Sequence, residues 1–324
     1  MNVIQRTIAW FDEYQRRHGF VGFPLAVFKK YGDDEAGHQA ALLAYYAFLS
    51  IFPLLLVLTS VLKLLVRNND ELRLRIIENA TTYFPIVGNE LQRNVHGLGT
   101  SGIAFIVGLV LALFGARGVA DALRGGINHV WQIPYVRRSG FPRALLQSFG
   151  SIAIGGAGLM LAPIISGYAV SLGGHGWLAR TIALLITVGI LYGMFLALVR
   201  IALPVRVPLR DLRPAAALAA IGLTTLQIVG GFILTRQLQH LNDLYGTFAL
   251  VLGLLYWLYL QSQILFYAFE VASVRALKLW PRSIDQQKLT EQDHRAFRLY
   301  ARRNRYHDDA HVHIRRHRFR RDSD

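Results

Sequence analysis

The sequence predicts an all-α membrane protein, built as a bundle of six transmembrane helices. Of the 324 residues, 53% are hydrophobic and only 17% are charged, whereas about a quarter of the residues in a typical soluble domain are charged. The apolar residues stand in long uncharged runs, and a helix needs roughly 20 such residues to cross the hydrocarbon core of a bilayer. The composition therefore argues against a soluble globular fold.

Six uncharged runs are each long enough to cross the membrane. Backbone groups find no water in lipid, so each run has to satisfy its own hydrogen bonds, and this favours helices. No alternating pattern typical of a β-barrel competes with them. The runs cover residues 40–62, 97–116, 144–172, 181–199, 214–235 and 244–269.

The spans divide the chain into three regions. Residues 1–39 form an N-terminal amphipathic arm, 40–274 the transmembrane domain and 275–324 a basic tail that we expect to be flexible. In the arm, Ile4, Ile8 and Phe11 recur at helical spacing. That spacing suits a helix on the membrane surface or one packed on the end of the bundle. Between the first two spans, residues 67–96 predict two short amphipathic helices.

The basic residues predict the orientation of the chain. The formal net charge is +15, and Lys and Arg near span ends are retained in the cytoplasm. They concentrate on one side of the predicted bundle, so we expect both termini to be cytoplasmic. The charge then records membrane orientation and a tail that attracts anionic lipid headgroups, and it does not indicate a nucleic-acid partner. The segments on this side are 1–39, 124–143, 200–213 and 275–324.

The first span carries Tyr45 and Pro53 as candidate functional residues. Proline cannot donate a hydrogen bond to the carbonyl of Leu49, so the helix should bend there, and Ser50 is placed to satisfy the freed carbonyl. A broken helix at mid-membrane can build a substrate site. A structural kink is the alternative.

The second span ends in a group of polar residues. Arg117 and Asp121 are four apart and can pair on one helical face. Further along the same helix, Asn128 and Trp131 are three apart, and we place them at the membrane interface, where indole rings are favoured. These residues form either a polar gate on the cytoplasmic side or a structural anchor.

Glu270, at the inner end of the sixth span, is the remaining candidate. A carboxylate in this position is costly unless it is paired or hydrated. Arg275 and the loop arginines are its candidate partners, in a structural ion pair or in a proton or substrate relay. We expect no cofactor and no metal site, because the tail histidines (His307, His311 and His313) lie in a polar segment without rigid support. There is no Cys, and so no disulfide or thiolate nucleophile.

Three stretches resemble the YihY / virulence factor BrkB family of membrane proteins. They are AALLAYYAFLSIFPLL from Ala40, Ile127-Asn128 with Trp131, and YGTFALVLGLLYWLYL from Tyr245 leading to Glu270. The similarity extends over residues 30–275. It implies a multi-pass protein of the bacterial inner membrane with about six helices, no settled activity and, for some members, a ribonuclease label. The family motifs map onto Tyr45, Pro53, Asn128, Trp131, Tyr245, Gly246 and Glu270, without an assigned catalytic role.

Three functions fit these features. The first is a transporter or lipid-handling permease, indicated by Pro53, the Arg117/Asp121 pair and Glu270 in or beside the bilayer. The second is a membrane scaffold whose basic tail binds anionic lipid or a cytoplasmic partner. The third is a ribonuclease tethered to the membrane through the bundle, which we disfavour because no cluster of histidines and carboxylates stands on a folded scaffold. We therefore do not expect an enzyme, and the oligomeric state stays open.

Overall fold

The computed structural model describes residues 3–65, 102–173, 176–284 and 289–307. Within these ranges the side chains of 3–9, 52, 54–65, 102–105, 163, 166–173 and 231–250 are not described. The described chain is helical and contains no strand, which confirms the all-α fold. The predicted helices in 67–96 and the end of the tail lie outside the described residues.

Eight α-helices are described. Helices α3 to α7 form the bundle, and α1, α2 and α8 pack at one of its ends. A single 3₁₀ turn, Tyr135–Arg137, lies in the connection between α4 and α5. The helices are α1 Val3–Arg17, α2 Gly19–Asp33, α3 Ala36–Leu65, α4 Gly102–Val130, α5 Arg143–Gly173, α6 Trp177–Ala202, α7 Leu209–Leu277 and α8 Glu291–Arg303.

Five segments of these helices are long and apolar enough to cross a membrane, so the chain is a multi-pass membrane protein. The first predicted run, 40–62, lies within α3, whose side chains beyond Pro53 are not described. The predicted count of six spans is therefore approximate. The five segments are Ile106–Val130, Arg143–Ala162, Trp177–Ala202, Leu209–Gly230 and Val251–Leu277.

Helix α7 contains the last two predicted spans in one element of 69 residues. Its two apolar arms lie side by side and run antiparallel. A Cβ added to Gly222 would contact Ile264, and one added to Gly230 would collide with Trp257. Small residues let helix backbones approach closely in a membrane. The second arm thereby returns Glu270 to the end of the bundle from which α7 begins.

Both ends of the described chain meet at this same end of the bundle, which we call the terminal end. Helix α1 turns its polar residues Asp12 and Gln15 towards the protein, whereas Trp10 and Tyr14 on its other face are exposed. Helix α8 follows in what the sequence predicts to be a flexible tail. The structure differs here, because α8 is a regular helix with a capping box and buries Asp293 and Ala296.

Candidate functional site

The sequence Lys29-Lys30-Tyr-Gly-Asp33-Asp34 at the end of α2 organises the terminal end. Residues four apart lie on one helical face, so the doubled pairs form two neighbouring faces. Lys30 and Asp34 point into the bundle and are fully buried, whereas Lys29 and Asp33 point towards α8 and the segment before it. Each face supports a separate ionic network.

The first network, which we call the core network, is centred on Lys30. Its Nζ donates to Asp34 Oδ2 at 2.6 Å, to Glu270 Oε2 at 2.7 Å and to the carbonyl oxygen of Val130 at 2.8 Å. An ammonium group has three N–H donors, so the hydrogen bonding of Lys30 is complete. These three bonds join α2 to the ends of α4 and α7.

Asp34 receives further donors from two other elements. Gln132 Nε2 lies 2.7 and 2.8 Å from its two oxygens, and Arg303 Nη1 on α8 lies 3.1 Å from Oδ1. Gln132 has a φ of 55°, a left-handed conformation that is uncommon for residues with a Cβ. Such a conformation persists only where the surroundings enforce it. The structure therefore holds Gln132 in a costly conformation in which its amide reaches Asp34.

Glu270 is the incompletely bonded member of the core network. It is fully buried, and Oε2 accepts from Lys30, but Oε1 has no hydrogen-bond partner in the described part of the chain. With Lys30, Asp34 and Arg303, the network holds two cations and two anions. Burying charges costs several kcal/mol each before pairing offsets it. An unpartnered buried carboxylate oxygen adds to this cost and is a place where a proton can bind.

The second network, which we call the clasp, is centred on Asp293 of α8. Its Oδ1 accepts from Arg282 Nε at 2.6 Å and Lys29 Nζ at 3.0 Å. Its Oδ2 accepts from the backbone N–H groups of Ser283 and Thr290, each at 2.9 Å, and from the Thr290 hydroxyl at 2.7 Å. Burial alone would raise the pKa of Asp293, but these donors outweigh it and hold that pKa well below its ordinary value.

Arg282 completes the clasp from a fully buried position. Its Nη2 pairs with Asp33 Oδ2 at 2.8 Å, and its Nη1 donates to the Tyr300 hydroxyl at 3.4 Å. Burial opposes the charge of Arg282, yet Tyr300, Asp293 and Asp33 together raise its pKa. Burial, followed by the charges of Asp34 and Asp33, raises the pKa of Tyr300, so its phenol stays protonated.

The N-terminal helix secures the same segment. Gln15 Nε2 donates to the carbonyl oxygen of Arg282 at 2.7 Å, and the backbone N–H of Ile284 donates to Asp12 Oδ1 at 2.7 Å. Lys29 Nζ also reaches the carbonyl oxygen of Ser283 at 2.5 Å. The clasp therefore binds α1, α2 and α8 into one unit beside the core network.

Neither Arg275 nor a loop arginine, the candidate partners that we named for Glu270, pairs with it among the described residues. Arg275 lies on an exposed position of α7, and the cation that pairs with Glu270 is Lys30 from the N-terminal region. Sequence reasoning also missed Asp34, Gln132 and Arg303 as members of this site. The doubled Lys and Asp pairs at i, i+4 were the available signal for two of the members.

The predicted polar group at the end of the second span is present but divides into two. Arg117 Nε lies 3.5 Å from Asp121 Oδ2, and Asp121 Oδ1 also accepts from Arg124 at 3.0 Å and from Ser148 on α5 at 2.5 Å. Asn128 and Trp131 belong elsewhere. They are only 4% and 5% exposed, within the terminal end rather than at a lipid interface.

The first-span candidates lie on α3. Tyr45 is 52% exposed, and Pro53 is inside the helix. Ser50 donates to the carbonyl oxygen of Ala47 at 2.8 Å, not to that of Leu49 as we expected. Tyr245 and Gly246 lie in α7 at positions whose side chains are not described.

The three features that suggested a transporter thus have different neighbours. Ser50, near Pro53, packs against α4, since a Cβ on Gly115 would stand 2.8 Å from the Cβ of Ser50. Arg117 pairs with Asp121, and Glu270 belongs to the core network. The core network is therefore the candidate site that the structure itself assembles. Among the described residues no group of three or more His, Asp or Glu side chains could hold a metal ion.

Comparison with known proteins identifies one relationship. A family model described as "Virulence factor BrkB" matches residues 27–292, a range that contains Lys30, Asp34, Gln132, Glu270 and Arg282 but ends before Asp293 and Arg303. No curated protein and no solved structure matches the chain.

Proposed function

Because the chain belongs to the virulence factor BrkB family, whose model covers most of its length, we propose that it is a membrane permease that moves a polar or lipid-derived solute. In this proposal both termini face the cytoplasm of a bacterial cell, and the core network closes the bundle at that end. The observation that carries the proposal is the fully buried set Lys30, Asp34 and Glu270, in which Glu270 Oε1 has no partner among the residues that the structure describes.

The energetics of this network favour a switch over a static support. A buried ion pair contributes less stability than well-packed apolar residues of similar volume. A network whose parts sit on α2, α4, α7 and α8 breaks when any one of them moves away, and its charges then become hydrated. Protonation of Glu270 would remove one anion from Lys30 and weaken the link between α2 and α7. The network thus has two states that a proton or an anionic solute can bias.

Transport by the purified protein tests the proposal. The full chain is reconstituted in liposomes, and the fluxes of fluorescent phospholipids and of small organic anions are measured beside a transporter of known activity. We expect flux with the wild type and at least a tenfold loss with Glu270→Gln. The control is Thr187→Val on α6, whose hydroxyl donates to the carbonyl oxygen of Ala183 in its own helix. Absence of flux for every solute, or full flux with Glu270→Gln, would overturn the proposal.

The exposed face of α8 favours a second candidate function, a scaffold. Arg295, Arg298 and Arg302 all lie on this face, and such a stripe suits anionic lipid or an acidic protein partner. Removing residues 282–324 would destroy the clasp and would not isolate this role. Replacing the three arginines by Gln leaves the buried residues in place. A phenotype lost with this triple variant while flux persists favours the scaffold.

A further inference from the structure

Two arginines, Arg138 and Arg303, stand at the edge of the core network. Arg138 takes no part in its charge balance, whereas Arg303 pairs with Asp34 through Nη1. They are held by the connection between α4 and α5, by the last residue of α8 and by the residues that follow it. The backbone N–H of Val136 donates to the carbonyl oxygen of Arg305 at 3.0 Å, and the rings of Tyr135 and Tyr306 stack at 4.6 Å. Two segments far apart in sequence are thereby held together.

Arg138 is the first of these two arginines. Its guanidinium carbon lies 4.0 Å from the centroid of the Tyr135 ring, and its Nε donates to the carbonyl oxygen of Ile133 at 3.3 Å. Its Nη2 is buried and has no hydrogen-bond partner among the described residues. No carboxylate in the described part of the chain forms an ion pair with it. Burial, together with repulsion from Arg303, lowers its pKa.

Arg303 brings a second incompletely used guanidinium. Its Nη1 bonds to Asp34 and Gln132, while its Nε is buried without a partner in the described structure. Two guanidinium groups with free N–H donors, close enough to repel each other, favour an anion with several acceptor oxygens between them. Phosphate has this character, and arginine binds it through paired hydrogen bonds.

We propose that Arg138 and Arg303 form a binding site for a phosphate group, which is that of an anionic phospholipid headgroup in the cytoplasmic leaflet. The position favours lipid as the source. Arg138 lies in the short connection between two candidate spans, Ile106–Val130 and Arg143–Ala162, and so stands beside the membrane boundary. Phe141, three residues further on, is 86% exposed, as expected of a side chain that enters lipid. Arg303 also belongs to the core network, but headgroup binding at this site does not depend on transport.

The adjacent arginines at 137 and 138 provide a matched experiment. Arg137 is exposed and Arg138 is partly buried, so Arg137→Gln and Arg138→Gln remove the same charge from the same turn. The full chain is purified with each substitution, and its affinity is measured for spin-labelled phosphatidylglycerol and phosphatidylcholine in detergent micelles. We expect the wild type to prefer phosphatidylglycerol and Arg138→Gln to weaken that binding by about tenfold. Arg137→Gln should change it by less than about twofold.

Two further arms identify the ligand and protect the test against misfolding. Arg138→Lys keeps the charge but loses the paired donors, so we expect an intermediate loss of phosphatidylglycerol binding with an unchanged melting temperature. Inorganic phosphate is titrated against the bound label on the wild type, which requires no variant. Displacement of the label at millimolar phosphate supports a phosphate site. If the protein bound phosphate but did not prefer phosphatidylglycerol, the ligand would be free phosphate, and the assignment to a lipid headgroup would be wrong. Equal losses with Arg137→Gln and Arg138→Gln, or no preference for phosphatidylglycerol, would overturn the site.

Discussion

The core network and the clasp both include neighbouring residues at the end of α2, Lys30 and Asp34 in the first and Lys29 and Asp33 in the second. They differ in how completely their charged groups are hydrogen-bonded. In the clasp, five donors surround the two oxygens of Asp293. In the core network, Glu270 Oε2 accepts from Lys30, and Oε1 has no hydrogen-bond partner among the described residues. Both sites bury ions, but in the part of the chain that the structure describes both oxygens of Asp293 are bonded, whereas only one oxygen of Glu270 is. The difference indicates that the clasp holds the helices in one arrangement, whereas the core network beside it can change its protonation and bonding.

Removing Arg282, the buried cation of the clasp, should have the largest effect on the free energy of unfolding. Arg282→Ala leaves Asp293 and Asp33 without their buried partner. Breaking a buried ion pair from one side costs about 3 to 5 kcal/mol. We expect a large fall in the melting temperature of the detergent-solubilised protein, together with faster proteolysis within α8.

Arg295→Ala is the matched control for this experiment. Arg295 lies on the exposed side of α8, and its loss should change the free energy of unfolding by no more than about 0.5 kcal/mol. If Arg282→Ala were equally mild, the clasp would not fasten the terminal end.

The same chemical change in each network gives the sharpest comparison. Asp293→Asn removes a charge that accepts five hydrogen bonds and puts an amide group beside donors, so we expect a loss of about 2 to 3 kcal/mol. Glu270→Gln keeps an acceptor for Lys30, whose other anion, Asp34, remains. Its cost should be about 1 kcal/mol. Chemical or thermal unfolding of both variants measures the difference.

The two substitutions should have the reverse order of effects on flux. Glu270→Gln should reduce flux at least tenfold, whereas Asp293→Asn should retain it at a temperature where both variants are folded. Equal effects of the two substitutions on stability and on flux would mean that the networks form a single structural unit.

Acid should weaken the clasp through Asp293. Because its pKa is lowered in the folded protein, its stabilising contribution is fully present above the unfolded value of about 4 and is lost as the pH falls through the folded one. The gap in melting temperature between the wild type and Asp293→Asn should therefore narrow from pH 7 to pH 3. A gap that does not change with pH would show that the pKa of Asp293 is the same in the folded and unfolded states, so that its charge does not stabilise the clasp.

The fold could be predicted further than the site could. Long uncharged runs report membrane helices directly, because burial in lipid demands them along the whole segment. The runs 214–235 and 244–269 correspond to the two arms of α7, the candidate spans Leu209–Gly230 and Val251–Leu277. The runs did not show how these arms meet, which is through close contacts such as that of Gly230 with Trp257. Hydropathy does not encode such contacts.

The partners in the candidate site could not be read from spacing. Glu270 was found because a carboxylate in an apolar run is conspicuous, but Lys30 is 240 residues away in sequence and Arg303 follows the last span. Asn128 and Trp131 were placed at a lipid interface because their position relative to the run suggested it. They are buried at the terminal end, where Trp131 packs in a cluster with residues of α3, α6 and α7, which is a tertiary effect.

The exposed ionic group at Asp121 extends the comparison to a third level of burial. Arg117 and Asp121 are 52% and 37% exposed, and Asp121 keeps Arg124 and Ser148 as partners when Arg117 is removed. Water screens such a pair, which contributes less than about 1 kcal/mol. Arg117→Gln should therefore shift the unfolding free energy by only a few tenths of a kcal/mol, with a smaller shift at high salt. A loss comparable to that of Arg282→Ala would show that the contribution of an ion pair to stability does not follow its burial in this bundle. It would also show that Arg117 has a role which its neighbours on α4 and α5 do not account for.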